Sequence, residues 1–185
     1  IRYADRTGLS LASTDNPIAH SSMDDPAYIL YTSGSTGQPK GAILHHKGAM
    51  NHMLAEYAAL DLDDHFRFLQ SAGIGSDISV WQILGPILKG GTTVMISKRD
   101  LLEYEKLVEI LISQQVQVIE LVPSYVWGLM SYLERSVKPI AFPHLEWLIF
   151  SGEEVPVALV NICKRLYPDL RLLNAYGPCE ASDDV

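Results

Sequence analysis

Cysteine is scarce in this chain. There are two, Cys163 and Cys179, and no closely spaced pair. That excludes a disulfide framework and a zinc module built on paired thiols, and reduced thiols in a cytoplasmic protein are the expectation. Long apolar runs are also missing. None approaches the ~20 residues that span a bilayer, and the first residues lack the charged start and apolar run of a leader. Positive charge is in short supply, with 14 Lys and Arg against 22 Asp and Glu and a formal charge of -8. A general nucleic-acid surface is therefore excluded, because a phosphate backbone needs clustered Lys and Arg. A nucleotide is not excluded, since such sites rely on local backbone donors more than on net charge. No internal repeat or low-complexity tract is present.

Apolar residues make up 48% of the chain, enough to build a core. Residues 1–25 are polar and irregular, with Pro17 and many Ser, Asp and Asn, and read as a lead-in or the end of a preceding subdomain. Residues 26–185 read as one α/β core. Short apolar runs at Ala27–Tyr31, Phe66–Gln70, Thr92–Ile96, Val116–Leu121, Trp147–Phe150 and Leu170–Leu173 predict strands. Helical patterns at His46–Leu60, Ile78–Lys89, Leu101–Gln114, Ser124–Glu134 and Val157–Tyr167 lie between them. This alternation predicts a mostly parallel sheet with helices on both faces. Ligands in such folds bind beyond the carboxyl ends of the strands, and three polar clusters are expected there: a Gly-rich loop after the first strand, Ser151–Glu154 after the fifth, and Asn174–Glu180 after the sixth. The start at Ile1 and the stop at Asp183-Asp184-Val185 suggest a piece of a longer polypeptide.

The first cluster reads Tyr31-Thr32-Ser33-Gly34-Ser35-Thr36-Gly37-Gln38-Pro39-Lys40-Gly41. Its glycines allow tight turns and close backbone approach to a ligand. Hydroxyls and free backbone N–H groups can donate to phosphate oxygens, and Lys40 adds a mobile cation. The order is not that of a Walker loop, in which Gly-Lys-Ser/Thr opens a helix. It resembles the phosphate loop of the adenylate-forming superfamily, which includes acyl-CoA synthetases, luciferases and the adenylation domains of nonribosomal peptide synthetases.

The peptide-synthetase adenylation domain is the nearest resemblance, over nearly the whole chain after the first two dozen residues. Ser76-Asp77-Ile78-Ser79-Val80-Trp81-Gln82 resembles its Phe-Asp-x-Ser-Val-Trp-Glu segment. Ser151-Gly152-Glu153-Glu154-Val155-Pro156 resembles its Gly-Gly-Glu-like adenine loop, and Asn174-Ala175-Tyr176-Gly177-Pro178-Cys179-Glu180 its Asn-x-Tyr-Gly-Pro-Thr-Glu motif. Ser76 departs from the usual aromatic and would reshape the amino-acid pocket. Cys179 departs from Thr, and a thiol is a poorer donor to the α-phosphate than a hydroxyl.

The resemblance implies a flavodoxin-like subdomain of an adenylate-forming enzyme that converts ATP and an amino acid to aminoacyl-AMP and pyrophosphate. Thr32, Ser33, Gly34, Ser35, Thr36, Gly37 and Lys40 would hold phosphates. Gly152, Glu153, Asn174, Ala175, Tyr176, Gly177 and Cys179 would hold the rest of the nucleotide, with Tyr176 stacked on adenine and Asn174 bonding its edge. Lys40 and Glu180 would be catalytic, Glu180 by holding Mg²⁺. Partners would be the amino acid, the remaining adenylation subdomains, and a peptidyl carrier protein domain whose phosphopantetheine thiol takes the acyl group. The Asp that binds ribose, the hinge and the C-terminal subdomain would lie beyond these residues, so the chain alone is expected to be inactive.

By the same resemblance the substrate pocket would include Asp77, Ile78, Trp81, Glu120, Ile149, Ser151, Ala175, Asp183 and Asp184. Asp77 would bind the α-ammonium, although an Asp opening a helix can equally be its N-cap. Glu120 ends an apolar strand, where a charge is costly unless paired. With Asp183 and Asp184 nearby, carboxylate repulsion would favour a cation, so a basic amino acid such as ornithine, lysine or arginine is expected. Two alternatives stay open: an acyl- or aryl-CoA ligase of the same superfamily, and a non-catalytic binding or scaffold subdomain. His45, His46 and His52 share a predicted helix region without further ligands, so surface or packing roles are expected.

Overall fold

The computed structural model describes residues 13–16, 18, 20–32 and 38–178. Among these, two strands form a separate antiparallel ladder, β1 (Pro26–Thr32) and β2 (Lys40–His45), in which Thr32 faces Lys40 and Leu30 faces Ala42. Five more strands form a parallel sheet: β3 (Arg67–Gln70), β4 (Thr92–Met95), β5 (Val118–Leu121), β6 (Trp147–Phe150) and β7 (Arg171–Asn174), in the order β4-β3-β5-β6-β7. The helices are α1 (His46–Leu60), α2 (Ile78–Leu88), α3 (Lys98–Leu101), α4 (Tyr104–Ser113), α5 (Pro123–Glu134) and α6 (Val157–Leu166).

The sheet divides two apolar cores, as its buried strands require. Along β5 the side chains alternate. Ile119 and Leu121 join Leu107, Leu111, Val126, Leu129, Leu148, Phe150 and Leu159 under α4, α5 and α6. Val118 joins Phe68, Ile149, Met53, Leu60 and Trp81 under α1 and α2. Helix α1 buries Ala49, His52, Met53, Glu56 and Leu60, spaced for one face. His52 packs edge-on against Trp81, with ring centroids 5.8 Å apart. His45 bonds the Asp24 carbonyl through Nδ1.

Two sequence-based expectations need correction. The Gly-rich loop does not follow a strand of the parallel sheet; it joins the two strands of the separate hairpin. The return strand was not expected because Lys40-Gly41-Ala42-Ile43-Leu44-His45 is short and contains Gly, a weak strand former. The single helix expected at Leu101–Gln114 is two helices. Ser97 caps α3 by accepting from the Asp100 amide at 3.0 Å, and the chain restarts as α4 at Tyr104. Leu101 and Val108 are spaced as on one continuous helix, so periodicity cannot report the break.

The strand order creates the place where a site can form. The chain leaves β3 for β4 on one side, then returns past β3 to β5 on the other. Such a switch point opens a crevice at the carboxyl ends of the strands. Here β3 and β5 register only at Phe68 and Val118. Beyond that point they part, and side chains bridge the gap. The Ser71 hydroxyl donates to the Glu120 carbonyl at 2.8 Å, and Gln82 Nε2 reaches the same oxygen at 3.4 Å.

Candidate functional site

Two adjoining hollows lie at the carboxyl ends of the parallel strands. The larger is a cleft of about 780 Å³ lined by Ser76–Ile78, Ser151–Val155 and Asn174–Gly177, within the usual range for small-molecule pockets. The smaller is a recess of about 140 Å³ at the β3/β5 switch point, walled by Ser71, Gln82, Glu120 and Tyr125 among others. Ile78 and Ser151 line both, so they stand at the junction.

Each wall of the cleft has a local cause. Asp77 opens α2, and its Oδ1 accepts from the Ile78 amide at 3.0 Å and from the Ser76 hydroxyl at 3.1 Å. Its backbone is already helical, at φ -54° and ψ -47°, so this contact to the adjacent amide is not a standard N-cap, and Asp77 stands on the cleft wall. Ser151 is buried and follows β6, with its amide on the Leu121 carbonyl at 3.4 Å. Gly152 has φ +78°, a left-handed turn that reverses the chain after Ser151. Ala175 is held by the hydrogen bond its N–H donates to the Phe150 carbonyl at 2.8 Å, and it leads into Tyr176, which is 77% exposed. An exposed aromatic ring beside a glycine turn and an exposed Asn suits a flat heterocycle with polar edges.

The recess has a mixed wall, with Ser71, Gln82 and Glu120 beside Ile78, Leu101 and Leu121. Glu120 is 2% exposed, and its backbone is fixed by Ser71 and Gln82. Gln82 is fully buried; its Oε1 accepts from the Ser71 and Ala72 amides, both at 2.9 Å. Tyr125 donates its hydroxyl to the Leu101 carbonyl. Burial foremost, then the neighbouring Tyr104, pushes its pKa up to about 12, so it is a neutral wall at physiological pH.

Of the residues expected in the site, the structure gathers Asp77, Ile78, Ser151, Gly152, Glu153, Asn174, Ala175, Tyr176 and Gly177 around the cleft, and Glu120 with Ile78 and Ser151 around the recess. Trp81 and Ile149 line neither. Both are about 1% exposed in the core below the sheet, where Trp81 packs on Phe68 at 5.5 Å between centroids and Ile149 lies beside Glu120 in strand register. Thr32 and Lys40 close the hairpin ladder and do not line the cleft. Ser33, Gly34, Ser35, Thr36, Gly37, Cys179, Glu180, Asp183 and Asp184 lie outside the described residues. Among the described residues no group of three or more His, Cys, Asp or Glu is arranged to hold a metal ion.

Sequence reasoning missed Ser71 and Gln82 as lining residues. Ser71 was findable, because it is the first polar residue after a strand of the parallel sheet. Gln82 stands out as a lone amide in the apolar stretch Val80–Leu84.

The family described as AMP-binding enzyme matches residues 3–183. Tyrocidine synthase 2 from Brevibacillus parabrevis is 34% identical over 178 residues, which are 96% of this chain and 5% of that protein. Among solved structures, the AMPPNP-bound form of the nonribosomal peptide synthetase FmoA3 is 28% identical with a TM-score of 0.82, covering 94% of this chain and 18% of that one. PA1221, an NRPS protein containing adenylation and PCP domains, is 26% identical with a TM-score of 0.77, covering 94% of this chain and 33% of that one. The chain therefore spans a third or less of the length of these three relatives.

Proposed function

Because the chain belongs to the AMP-binding enzyme family, we propose that its cleft and recess form part of a site that activates an amino acid with ATP. A carboxylate oxygen of the amino acid attacks the α-phosphorus. The new bond gives aminoacyl-AMP, and the bond to the bridging oxygen breaks to release pyrophosphate. The supporting observation is the pair of hollows joined at Ile78 and Ser151. One has the size and lining for a nucleotide, and the other, at about 140 Å³, has the size for an amino-acid side chain.

In this reading the protein acts mainly by alignment and charge neutralisation. Tyr176 stacks on adenine and Asn174 bonds its edge. Asp77, at the cleft wall, takes the substrate α-ammonium and so fixes the carboxylate toward the phosphate. Lys40 and the Gly-rich loop, carried on the hairpin, hold the pyrophosphate side. Glu180 is the residue proposed for Mg²⁺, which supplies neutralisation of phosphate charge when bound. A phosphopantetheine thiol on a carrier domain is the proposed acceptor of the acyl group.

The proposed substrate class is a basic α-amino acid. Glu120 is one of the residues that wall the recess, and a carboxylate there is complementary to an ammonium or guanidinium, while Ile78, which lines the same recess, can cover the aliphatic stem. Exchange of radiolabelled pyrophosphate into ATP by the intact parent enzyme tests this across an amino-acid panel. Strong exchange with ornithine, lysine or arginine is expected. A preference for neutral or acidic amino acids refutes the substrate class, and turnover only with carboxylic acids and CoA refutes amino-acid activation.

A further inference from the structure

Glu153 was expected to touch the nucleotide, yet its carboxylate is engaged elsewhere. Oε2 accepts from the Ser124 backbone amide and Oε1 from the Ser124 hydroxyl, both at 2.9 Å. Ser124 is the second residue of α5. That helix begins with Pro123, and its N-cap residue, Val122, has an apolar side chain that makes no capping bond. The first amides of a helix have no partner within it. A carboxylate placed there gains both a charge-assisted hydrogen bond and a favourable alignment with the helix dipole. Glu153 therefore supplies in trans, from 29 residues further along the chain, the cap that the local sequence does not provide.

The geometry runs the other way as well. The segment Gly152–Glu154 is exposed and lies between the buried Ser151 and the start of α6. Its two Glu153 bonds fasten it to a helix that is rooted in the core through Val126, Leu129, Met130 and Leu133. Gly152, in its left-handed conformation, makes the turn that lets Glu153 reach back to Ser124. The backbone of this same loop is one wall of the cleft.

We propose that Glu153 is a positioning residue: by clamping onto Ser124 at the head of α5, it holds the Gly152–Glu154 backbone at the distance from Tyr176 that a nucleotide base requires. It touches neither reacting atom. Its contribution should fall on nucleotide binding and leave the amino-acid recess unaffected. This inference rests on the reading of the cleft as a nucleotide site.

The test uses the intact parent enzyme with Glu153→Ala, Glu153→Gln and Ser124→Ala. Pyrophosphate exchange gives KM and kcat for ATP and KM for the amino acid, and amide hydrogen exchange reports the Ser124 N–H. Glu153→Ala should raise KM for ATP about tenfold while kcat and the amino-acid KM change less than about threefold. The Ser124 amide should lose protection at the same time. Glu153→Gln keeps an acceptor for that amide and should restore most of the ATP affinity. Ser124→Ala removes only the hydroxyl donor and should fall between. An unchanged KM for ATP in Glu153→Ala overturns the proposal, as does a general collapse of both constants and of the melting midpoint that Glu153→Gln does not rescue. If the unsubstituted enzyme activates no amino acid, the functional reading fails instead. The clamp is then judged by AMPPNP binding and Ser124 exchange, where no difference between Glu153→Ala and the parent overturns it.

Discussion

Gln82 holds Ser71 in place: the buried amide oxygen accepts from the Ser71 N–H at 2.9 Å while the amide nitrogen lies 3.3 Å from the Ser71 hydroxyl. The same oxygen takes the Ala72 amide, and the same nitrogen reaches the Glu120 carbonyl. One side chain thus substitutes for the ladder that β3 and β5 abandon at their carboxyl ends. Gln82→Leu preserves volume and strands those donors. It should cost about 2 kcal/mol of stability, read as a lower urea midpoint with an unchanged slope. A midpoint equal to that of the parent would show that the crevice does not depend on this bridge.

Gly85 is required by Trp81, one helical turn earlier. A Cβ at Gly85 would stand 2.4 Å from the indole ring. The indole cannot retreat, because Phe66, Phe68 and Tyr57 surround it with centroids 5.5 to 6.4 Å away. Tyr57 also donates to the Gly85 carbonyl at 2.6 Å. Despite its higher helix propensity, Gly85→Ala should destabilise by about 1–3 kcal/mol through overpacking. Chemical denaturation checks the sign, and a gain in stability would contradict the packing described.

Cys163 is fully buried on α6, and burial pushes its thiol up to about 11 from the ordinary 9.0. The folded chain therefore keeps a proton that the unfolded chain releases earlier. The stability tied to this proton is complete below pH 9 and is lost as pH rises toward about 11. Cys163→Ala should flatten the fall of the urea midpoint across that window, although its cavity lowers the midpoint throughout. Iodoacetamide at pH 8 should leave the Cys163 peptide unlabelled until denaturant is added. Rapid native labelling would refute the burial.

Most of the parallel sheet was legible because its strands are short apolar runs between helical stretches. His46–Leu60 and Trp147–Phe150 have the same bounds in the sequence reading and in the structure. What remained hidden depends on contacts between distant residues. The β1–β2 hairpin lacks an apolar alternation strong enough to declare its second strand. Ile29 and Ile43 are exposed on it while Leu30 and Leu44 are buried. The engagement of Glu153 with Ser124 joins residues whose local sequences predict only a loop and a helix start. Trp81 and Ile149 belong to apolar patterns that do not distinguish a core residue from a pocket wall; only the sheet register and the aromatic packing place them below the site.

The recess makes its own prediction about selectivity. Glu120 belongs to a four-residue strand buried throughout, with its carbonyl held by Ser71 and Gln82, so Glu120→Gln changes charge while keeping shape and backbone contacts. If the carboxylate faces a substrate cation, as proposed, the exchange rate with a basic amino acid should fall about 100-fold in kcat/KM. Neutral amino acids of similar length should lose little, because they present no cation to the carboxylate. The ratio of the two is the informative quantity. An equal loss for every amino acid would mean that Glu120 serves only the packing of the crevice. A loss confined to ATP affinity would place it with the nucleotide rather than with the side chain.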